Sequence, residues 1–197
     1  YISWDKRQGD YDTYLLKMVD IYMEAIIGTG EEHIKHIARK VIEQKGDRVY
    51  TFTRERIKWH KEQGHIVIAI SGSPLELVKE MSEKYHMDDY RGTIYELDEN
   101  GKYNGEVVPM WDSDSKQKAI NELVEKHDID LSKSYAYGDT SGDYTMFKSV
   151  GCPFAINPTK ELLGKIKNDE SLKDKINLIV ERKDVTYKLD MNSIEII

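Results

Sequence analysis

The protein has 197 residues, of which 39% are hydrophobic and 33% are charged, a balance that is typical of a globular domain and excludes disordered and collagen-like classes. The net charge of −7 argues against nucleic acid as a partner, and no apolar run approaches the roughly 20 residues needed to cross a bilayer, so we expect no membrane partner. The single cysteine, Cys152, cannot form an intrachain disulfide, which favours a reducing, cytoplasmic compartment.

The first part of the chain is predicted to be helical. Apolar residues recur at helical spacing over 11–27. Thr29 and Glu32 then have the spacing of a capping box, which predicts a second helix that ends at Gly46. We therefore expect residues 1–48 to form a small helical layer of their own.

From residue 49 onward, helices alternate with short apolar strands. The predicted elements are a helix over 51–63, a buried strand over 65–70, a helix from Pro74 to about His86, a β-hairpin over 93–108 that turns at Asn100-Gly101, a helix over 115–127, a strand over 134–138, a short helix over 142–149, a strand over 152–157, a helix over 159–168 and a strand over 177–181. This alternation predicts an α/β fold, with a Rossmann-like, doubly wound parallel sheet formed by residues 49–197.

Polar residues follow two of the predicted strands, and ligands bind doubly wound sheets at the carboxyl ends of their strands. Ser71-Gly72-Ser73 offers a hydroxyl and backbone N–H groups to a phosphate, although a serine before a proline is also a common helix cap. Asp139 and Asp143 are two carboxylates four residues apart, which suit Mg²⁺. The alternative for this pair is a turn with an aspartate that caps the next helix.

A lysine near the start of a predicted helix is a third candidate. Lys116 opposes the dipole of the 115–127 helix, which is unusual unless the side chain faces an anion. The alternative is a solvated surface lysine, which is how we interpret Lys118. The position of Lys116 between the serine cluster and the aspartate pair in the sequence favours a functional role.

These residues, in the order Ser…Lys…Asp-x-x-x-Asp, carry a resemblance to a known family. The segments IAISGSP (68–74) and KQKAINELVEKHDIDLSKSYAYGDTSGDYTMFKSVGCPFAINP (116–158) resemble motifs II, III and IV of the haloacid dehalogenase-like (HAD) phosphatases, in the phosphoserine phosphatase-like subfamily IB. The resemblance covers about residues 50–165 and makes 1–48 part of a cap domain. It implies a Mg²⁺-dependent phosphatase that hydrolyses a small phosphorylated metabolite, a phosphomonoester, through an aspartyl-phosphate.

The resemblance also implies a role for each residue. Ser71 would hydrogen-bond the transferring phosphoryl group, with Gly72 contributing to the phosphate site. Lys116 would neutralise charge on that group and on the nucleophile. Asp139 would ligate Mg²⁺, and Asp143 would hold the metal directly or through water. Positioning and charge stabilisation of this kind are what phosphoryl transfer requires.

The family's motif I, an apolar strand ending in Asp-x-Asp, supplies the nucleophile and is not recognisable here. Asp10 and Asp12 have the spacing, but no apolar strand precedes them and a helical pattern follows at once, so we interpret them as helix caps. In subfamily IB the cap lies between motifs I and II. We therefore expect motif I, in a segment of about 40 residues, to precede Tyr1, and the chain by itself to be inactive.

Two geometric expectations follow from the resemblance. Lys116, rather than Lys118, should point into the pocket, because the two lie on different faces of their helix. Ser71 and Asp139 should share one small cavity, with the motif I strand lying between their own strands.

Two other interpretations remain open. The absence of motif I is compatible with a non-catalytic phosphate-binding or regulatory module. A receiver domain also uses Asp, Ser or Thr, and Lys on a doubly wound sheet, but its lysine does not precede an Asp-x-x-x-Asp pair. The sequence predicts neither the individual substrate nor the oligomeric state.

Overall fold

The structure is a computed structural model that describes residues 11–196, except for the side chain of Asp12. The helix-cap interpretation of Asp10 and of the Asp12 side chain therefore lies outside the described residues. No helix in the described part of the chain is both long and apolar enough to cross a bilayer.

Three helices come first: α1 (Tyr11–Ile26), α2 (Glu31–Lys45) and α3 (Thr51–Glu62). The predicted capping box at the start of α2 was wrong. Gly30 is the N-cap residue and makes no side-chain cap bond. The Thr29 hydroxyl instead donates to the carbonyl of Ile26 at 2.5 Å, so it closes the end of α1, and Glu32 pairs with Lys35.

Strands and helices then alternate as the sequence predicts. In chain order they are β1 (Ile68–Pro74), α4 (Leu75–Lys84), β2 (Asp89–Leu97), β3 (Tyr103–Val108), α5 (Ser113–His127), β4 (Tyr135–Gly138), α6 (Tyr144–Ser149), β5 (Cys152–Ile156), α7 (Lys160–Lys167), α8 (Glu170–Lys173), β6 (Asn177–Arg182) and β7 (Val185–Leu189). Single turns of 3₁₀-helix at Leu131–Lys133 and Ser141–Asp143 precede β4 and α6.

The strands form two sheets. In the first, β1 runs parallel to β2, and β2 runs antiparallel to β3. In the second, β4, β5 and β6 are parallel, and β7 pairs antiparallel with β6. The α/β class with parallel strands is confirmed. Among residues 11–196, however, β1 and β4 are not hydrogen-bonded to each other, so the parallel strands do not form one continuous sheet.

Strand β2 has two partners along its length, which the sequence did not predict. Its first residues pair with β1, as Asp89 does with Ile68, and its later residues pair with β3, as Ile94 does with Val108. The sequence did not predict the part of β2 that pairs with β1, because this part begins with a charged residue, Asp89, at a buried position. The Asp89 carboxylate is satisfied there by Lys126 at 2.8 Å and by other neighbours, so a polar strand is tolerated.

Two hydrophobic clusters hold the layers together. The larger one lies around β4, β5 and β6, and its fully buried members include Phe147, Ala155, Leu162, Ile166 and Leu178. The smaller one joins α1 and α2 to the β2–β3 hairpin through Ile26, Ile34, Tyr95 and Tyr103. Burial of these apolar side chains fixes α1 beside the first sheet.

Helix α3 is tied to the second sheet at both ends. The backbone N–H groups of Thr51 and Phe52 each donate to the Glu181 carboxylate at 2.8 Å, which satisfies free donors at the helix N-terminus. Further along, Nε of Arg56 and Nε2 of His60 lie 2.9 and 2.8 Å from the Tyr137 hydroxyl. Burial, reinforced by the nearby Arg56 charge, lowers the pKa of His60 to about 4. His60 is therefore neutral at physiological pH.

Candidate active site

A cavity of about 380 Å³ lies where the carboxyl ends of β1 and β4 meet. Residues of both strand ends line it, namely Ile70, Ser71, Gly72, Ser73 and Pro74 from β1, and Tyr137, Gly138, Asp139, Thr140, Gly142 and Asp143 from β4 and the segment after it. Lys116 and Trp111 line it as well. The structure therefore brings Ser71, Lys116 and Asp139 to one cavity, although they lie far apart in the sequence.

Lys116 is a buried cation in the first part of α5. The helix begins after Asp112, whose carboxylate caps it by accepting from the backbone N–H of Ser115 at 2.8 Å. This start directs Lys116, only 6% exposed, into the cavity, whereas Lys118 is exposed on another face. The Lys116 ammonium lies 2.5 Å from Oδ1 of Asp143, which is itself 4% exposed.

Asp143 holds the loop that follows β4. Its Oδ2 accepts from the backbone N–H groups of Asp139 and Thr140 at 3.0 Å each, and from the Thr140 hydroxyl at 3.3 Å. A Cβ at Gly138 would lie 2.5 Å from the Asp143 carboxyl carbon, so only glycine permits this close approach. Both oxygens of Asp143 therefore have protein partners, and in this arrangement the residue positions Lys116 and the loop.

Asp139 is the second carboxylate that lines the cavity. Burial raises its pKa, the negative charge of Asp143 raises it further, and Lys116 opposes the shift. Asp139 is solvent-accessible at the cavity, and a carboxylate of raised pKa there fits a divalent cation, which would stabilise its ionised form.

The fit to Mg²⁺ is partial in the described part of the chain. Residues 11–196 hold no group of three or more Asp, Glu, His or Cys side chains that could bind a metal. Asp139 fits such a role directly, whereas Asp143 already accepts from Lys116 and from two backbone N–H groups, so less of its acceptor capacity is left for a metal. Mg²⁺ commonly completes its octahedral coordination with waters and phosphate oxygens. The Asp139 carboxylate would therefore supply one ligand, and the others would have to come from outside the described residues.

The serine cluster lies inside β1 and not in a loop before a helix, which corrects the expected setting. The strand continues to Pro74, which pairs with Thr93 and also serves as the N-cap of α4, with no side-chain cap bond. Ser71 is thus not a helix cap, and its Oγ accepts from the Ser73 N–H at 3.2 Å. Ser71 and Gly72 still line the cavity, but they do so as the end of a strand.

Sequence reasoning missed Trp111, which touches both sides of the cavity. A Cβ at Gly72 would lie 2.9 Å from Cβ of Trp111, and a Cβ at Gly142 would lie 2.3 Å from its carbonyl oxygen. Both glycines are therefore needed for close packing around this residue. No periodic pattern marks Trp111, because it lies in the irregular segment between β3 and α5. The available signal was the pair of glycines, Gly72 in β1 and Gly142 in the 3₁₀ turn after β4.

Comparison with known proteins gives a family for this arrangement. A family model described as haloacid dehalogenase-like hydrolase matches residues 10–148. The chain is 30% identical over 156 residues to the "Inhibition of morphological differentiation protein" of Streptomyces azureus, a match that covers 78% of this chain and 56% of that protein. It is 26% identical over 132 residues to the phosphoserine phosphatase of Methanocaldococcus jannaschii, covering 66% of this chain and 57% of that protein. The chain thus spans about half the length of the curated relatives it matches.

The fold is shared with solved structures. A crystal structure of phosphoserine phosphatase in its apo form superposes with a TM-score of 0.56 at 20% identity, covering 86% of this chain and 80% of that chain. The family match includes the positions of Ser71, Lys116 and Asp139, so the receiver-domain interpretation was wrong. The chain belongs to the haloacid dehalogenase-like hydrolase family.

Proposed function

We propose that this chain forms part of a Mg²⁺-dependent phosphomonoester phosphatase that acts through an aspartyl-phosphate. The observation that carries the proposal is the meeting of a serine hydroxyl, a buried lysine and a carboxylate of raised pKa at one cavity between two strand ends. A tetrahedral dianion needs hydrogen-bond donors and positive charge around it, and these residues provide both. Relatives named phosphoserine phosphatase support the same chemistry.

Each residue has a part in this scheme. Ser71 donates its hydroxyl proton to a phosphoryl oxygen, and the Lys116 ammonium faces the charge that develops on the transferring group. Asp143 keeps Lys116 in place through the 2.5 Å contact. Asp139 would hold Mg²⁺, which, when bound, supplies further positive charge at the phosphoryl oxygens.

The nucleophile is proposed to come from a strand outside the described residues. In the part of the chain that the structure describes, β1 and β4 are edge strands of separate sheets, yet their carboxyl ends line one cavity. An apolar strand ending in Asp-x-Asp and placed between them would pair with both edges. Its first aspartate would then lie beside Ser71 and Lys116, in position to attack phosphorus.

Hydrolysis of p-nitrophenyl phosphate with and without Mg²⁺ tests the proposal. The 197-residue chain should show little or no turnover. Adding an apolar strand that ends in Asp-x-Asp ahead of Tyr1 should produce Mg²⁺-dependent turnover, and changing the first of those two aspartates to asparagine should abolish it.

Two results would contradict the scheme. Robust turnover by the 197-residue chain would place the nucleophile among its own residues and direct attention to Asp10 and Asp12. Binding of inorganic phosphate without turnover in every extended version would favour the alternative, a non-catalytic phosphate-binding or regulatory module.

A further inference from the structure

Helix α1 presents one apolar and aromatic face to the cavity. The α1 residues that line it are Tyr11, Leu15, Met18, Val19 and Tyr22. Their spacing of four, three, one and three residues places them on one side of a helix. We call these five residues the α1 stripe. Leu77 of α4 and Tyr95 of β2 extend the same apolar surface within the cavity.

The charged groups of the cavity are confined to its phosphate end. Among the described side chains, those that line it and carry charge are Lys116, Asp139 and Asp143. The described charged residues of α1 are exposed and do not line the cavity; they are Lys17, Asp20 and Glu24. The α1 stripe therefore offers no opposite charge to an ammonium or a carboxylate group.

Tyr22 and Tyr95 are neutral at physiological pH, because burial raises the pKa of both. Burial raises the pKa of Tyr22 to about 12, with a further contribution from the charge of Glu76. Tyr22 and Tyr95 lie with ring centroids 4.9 Å apart and tilted by 60°, the kind of aromatic pair that accepts a further ring at its edge or face. Glu76 itself does not line the cavity, and its Oε1 accepts from the Tyr103 hydroxyl at 2.7 Å.

The two ends of the cavity differ in what they can bind. A carboxylate placed against the α1 stripe would lose its hydration without gaining a cation among the described α1 residues that line the cavity, which is unfavourable. An apolar ring or chain placed there would leave water and contact aromatic and aliphatic side chains, which is favourable. The cavity volume of about 380 Å³ is within the usual range for small-ligand pockets.

We propose that the substrate is a phosphomonoester of an apolar, ring-bearing alcohol, and that the α1 stripe selects it over a zwitterionic ester such as phosphoserine. This inference rests on the proposed function, because the phosphate end of the same cavity has to bind the phosphoryl group. It goes further in naming the alcohol part, which the phosphate-binding residues do not determine.

Isothermal titration calorimetry of the 197-residue chain in the presence of Mg²⁺ tests the inference with three probes: inorganic phosphate, phenyl phosphate and O-phosphoserine. We expect phenyl phosphate to bind at least tenfold more tightly than O-phosphoserine, and inorganic phosphate to bind measurably. Equal or tighter binding of O-phosphoserine would overturn the inference and leave the phosphate site standing. Failure of all three probes to bind would refute the proposed function and the inference together.

Matched variants locate the selectivity on α1. Leu15→Gln, in the α1 stripe, should weaken phenyl phosphate binding at least fivefold and leave inorganic phosphate unchanged. Leu16→Gln, at a neighbouring position that is 53% exposed and does not line the cavity, should change neither. Val19→Thr, a change of nearly the same shape, provides a milder second variant that should weaken phenyl phosphate binding two- to threefold. Equal effects of Leu15→Gln and Leu16→Gln would contradict the assignment.

Discussion

The buried pair of Lys116 and Asp143 gives the sharpest prediction about stability. The two side chains are 7% and 6% exposed, and their charged atoms lie 2.5 Å apart. Lys116→Met removes the cation with little change of volume and leaves Oδ1 of Asp143 buried without its partner. Breaking a buried ion pair in this way costs about 3–5 kcal/mol. With roughly 2–4 °C per kcal/mol for a domain of this size, the melting temperature should fall by at least about 6 °C.

Urea unfolding of four proteins measures the effect: the parent chain, Lys116→Met, Asp143→Asn, and the double variant. The double variant should be destabilised by less than the sum of the two single changes, because each change removes the partner that the other would leave unpaired. Lys118→Met is the control at an exposed position and should stay within about 0.5 kcal/mol of the parent. The reasoning fails if Lys116→Met costs no more than Lys118→Met, or if the single effects simply add.

Three further predictions concern single positions. Gly138→Ala should cost about 1–3 kcal/mol, because its methyl group would displace the Asp143 carboxylate, whereas Gly164→Ala, where nothing lies within 4 Å, should be neutral or stabilising in thermal melts. Asp139→Asn should stabilise the metal-free protein at neutral pH. The pKa of Asp139 is raised in the folded state, so the ionised side chain lowers the free energy of unfolding once the pH rises through that pKa, and asparagine avoids this loss. This gain in stability should vanish below about pH 3.9, where the aspartate is protonated in both the folded and the unfolded state. The variant should also lose any stabilisation by added Mg²⁺, and an unchanged Mg²⁺ response would count against Asp139 as a ligand. Glu181→Ala should lower the free energy of unfolding by about 0.5–2 kcal/mol in chemical denaturation, because it removes the acceptor for two N–H groups at the start of α3. Unchanged stability together with unchanged helix content would argue against this cap.

Much of the fold could be predicted from the sequence because its signals are local. The strands around Ala136 and Ala155 are short apolar runs between helical patterns, and the structure contains them within a residue or two. The inward direction of Lys116 also follows from helical periodicity, given that α5 begins near Ser113.

The rest depends on contacts that periodicity does not encode. The Thr29 hydroxyl could have accepted from the backbone N–H of Glu32, as in a capping box, but it donates instead to the carbonyl of Ile26 in the preceding helix. Asp89 opens a strand because Lys126, from the end of a distant helix, neutralises it, and His127 of the same helix lies within hydrogen-bond distance of its carboxylate. The position of the α1 stripe beside the cavity results from packing of α1 on the β2–β3 hairpin, which no local signal determines.

The cap that Glu181 provides for α3 has a consequence for the order in which the chain becomes structured. The bond from the Thr51 N–H to Glu181 spans 130 residues, whereas the bond from Lys116 to Asp143 spans only 27. During synthesis from the N-terminus, α3 leaves the ribosome long before the residue that caps it. The Lys116–Asp143 contact can form while β6 is still untranslated, because both residues precede β6 in the chain. The contact is also favoured because closing a short loop costs less entropy than closing a long one. A nascent chain halted before residue 181 would therefore carry the polar end of the cavity and an uncapped α3.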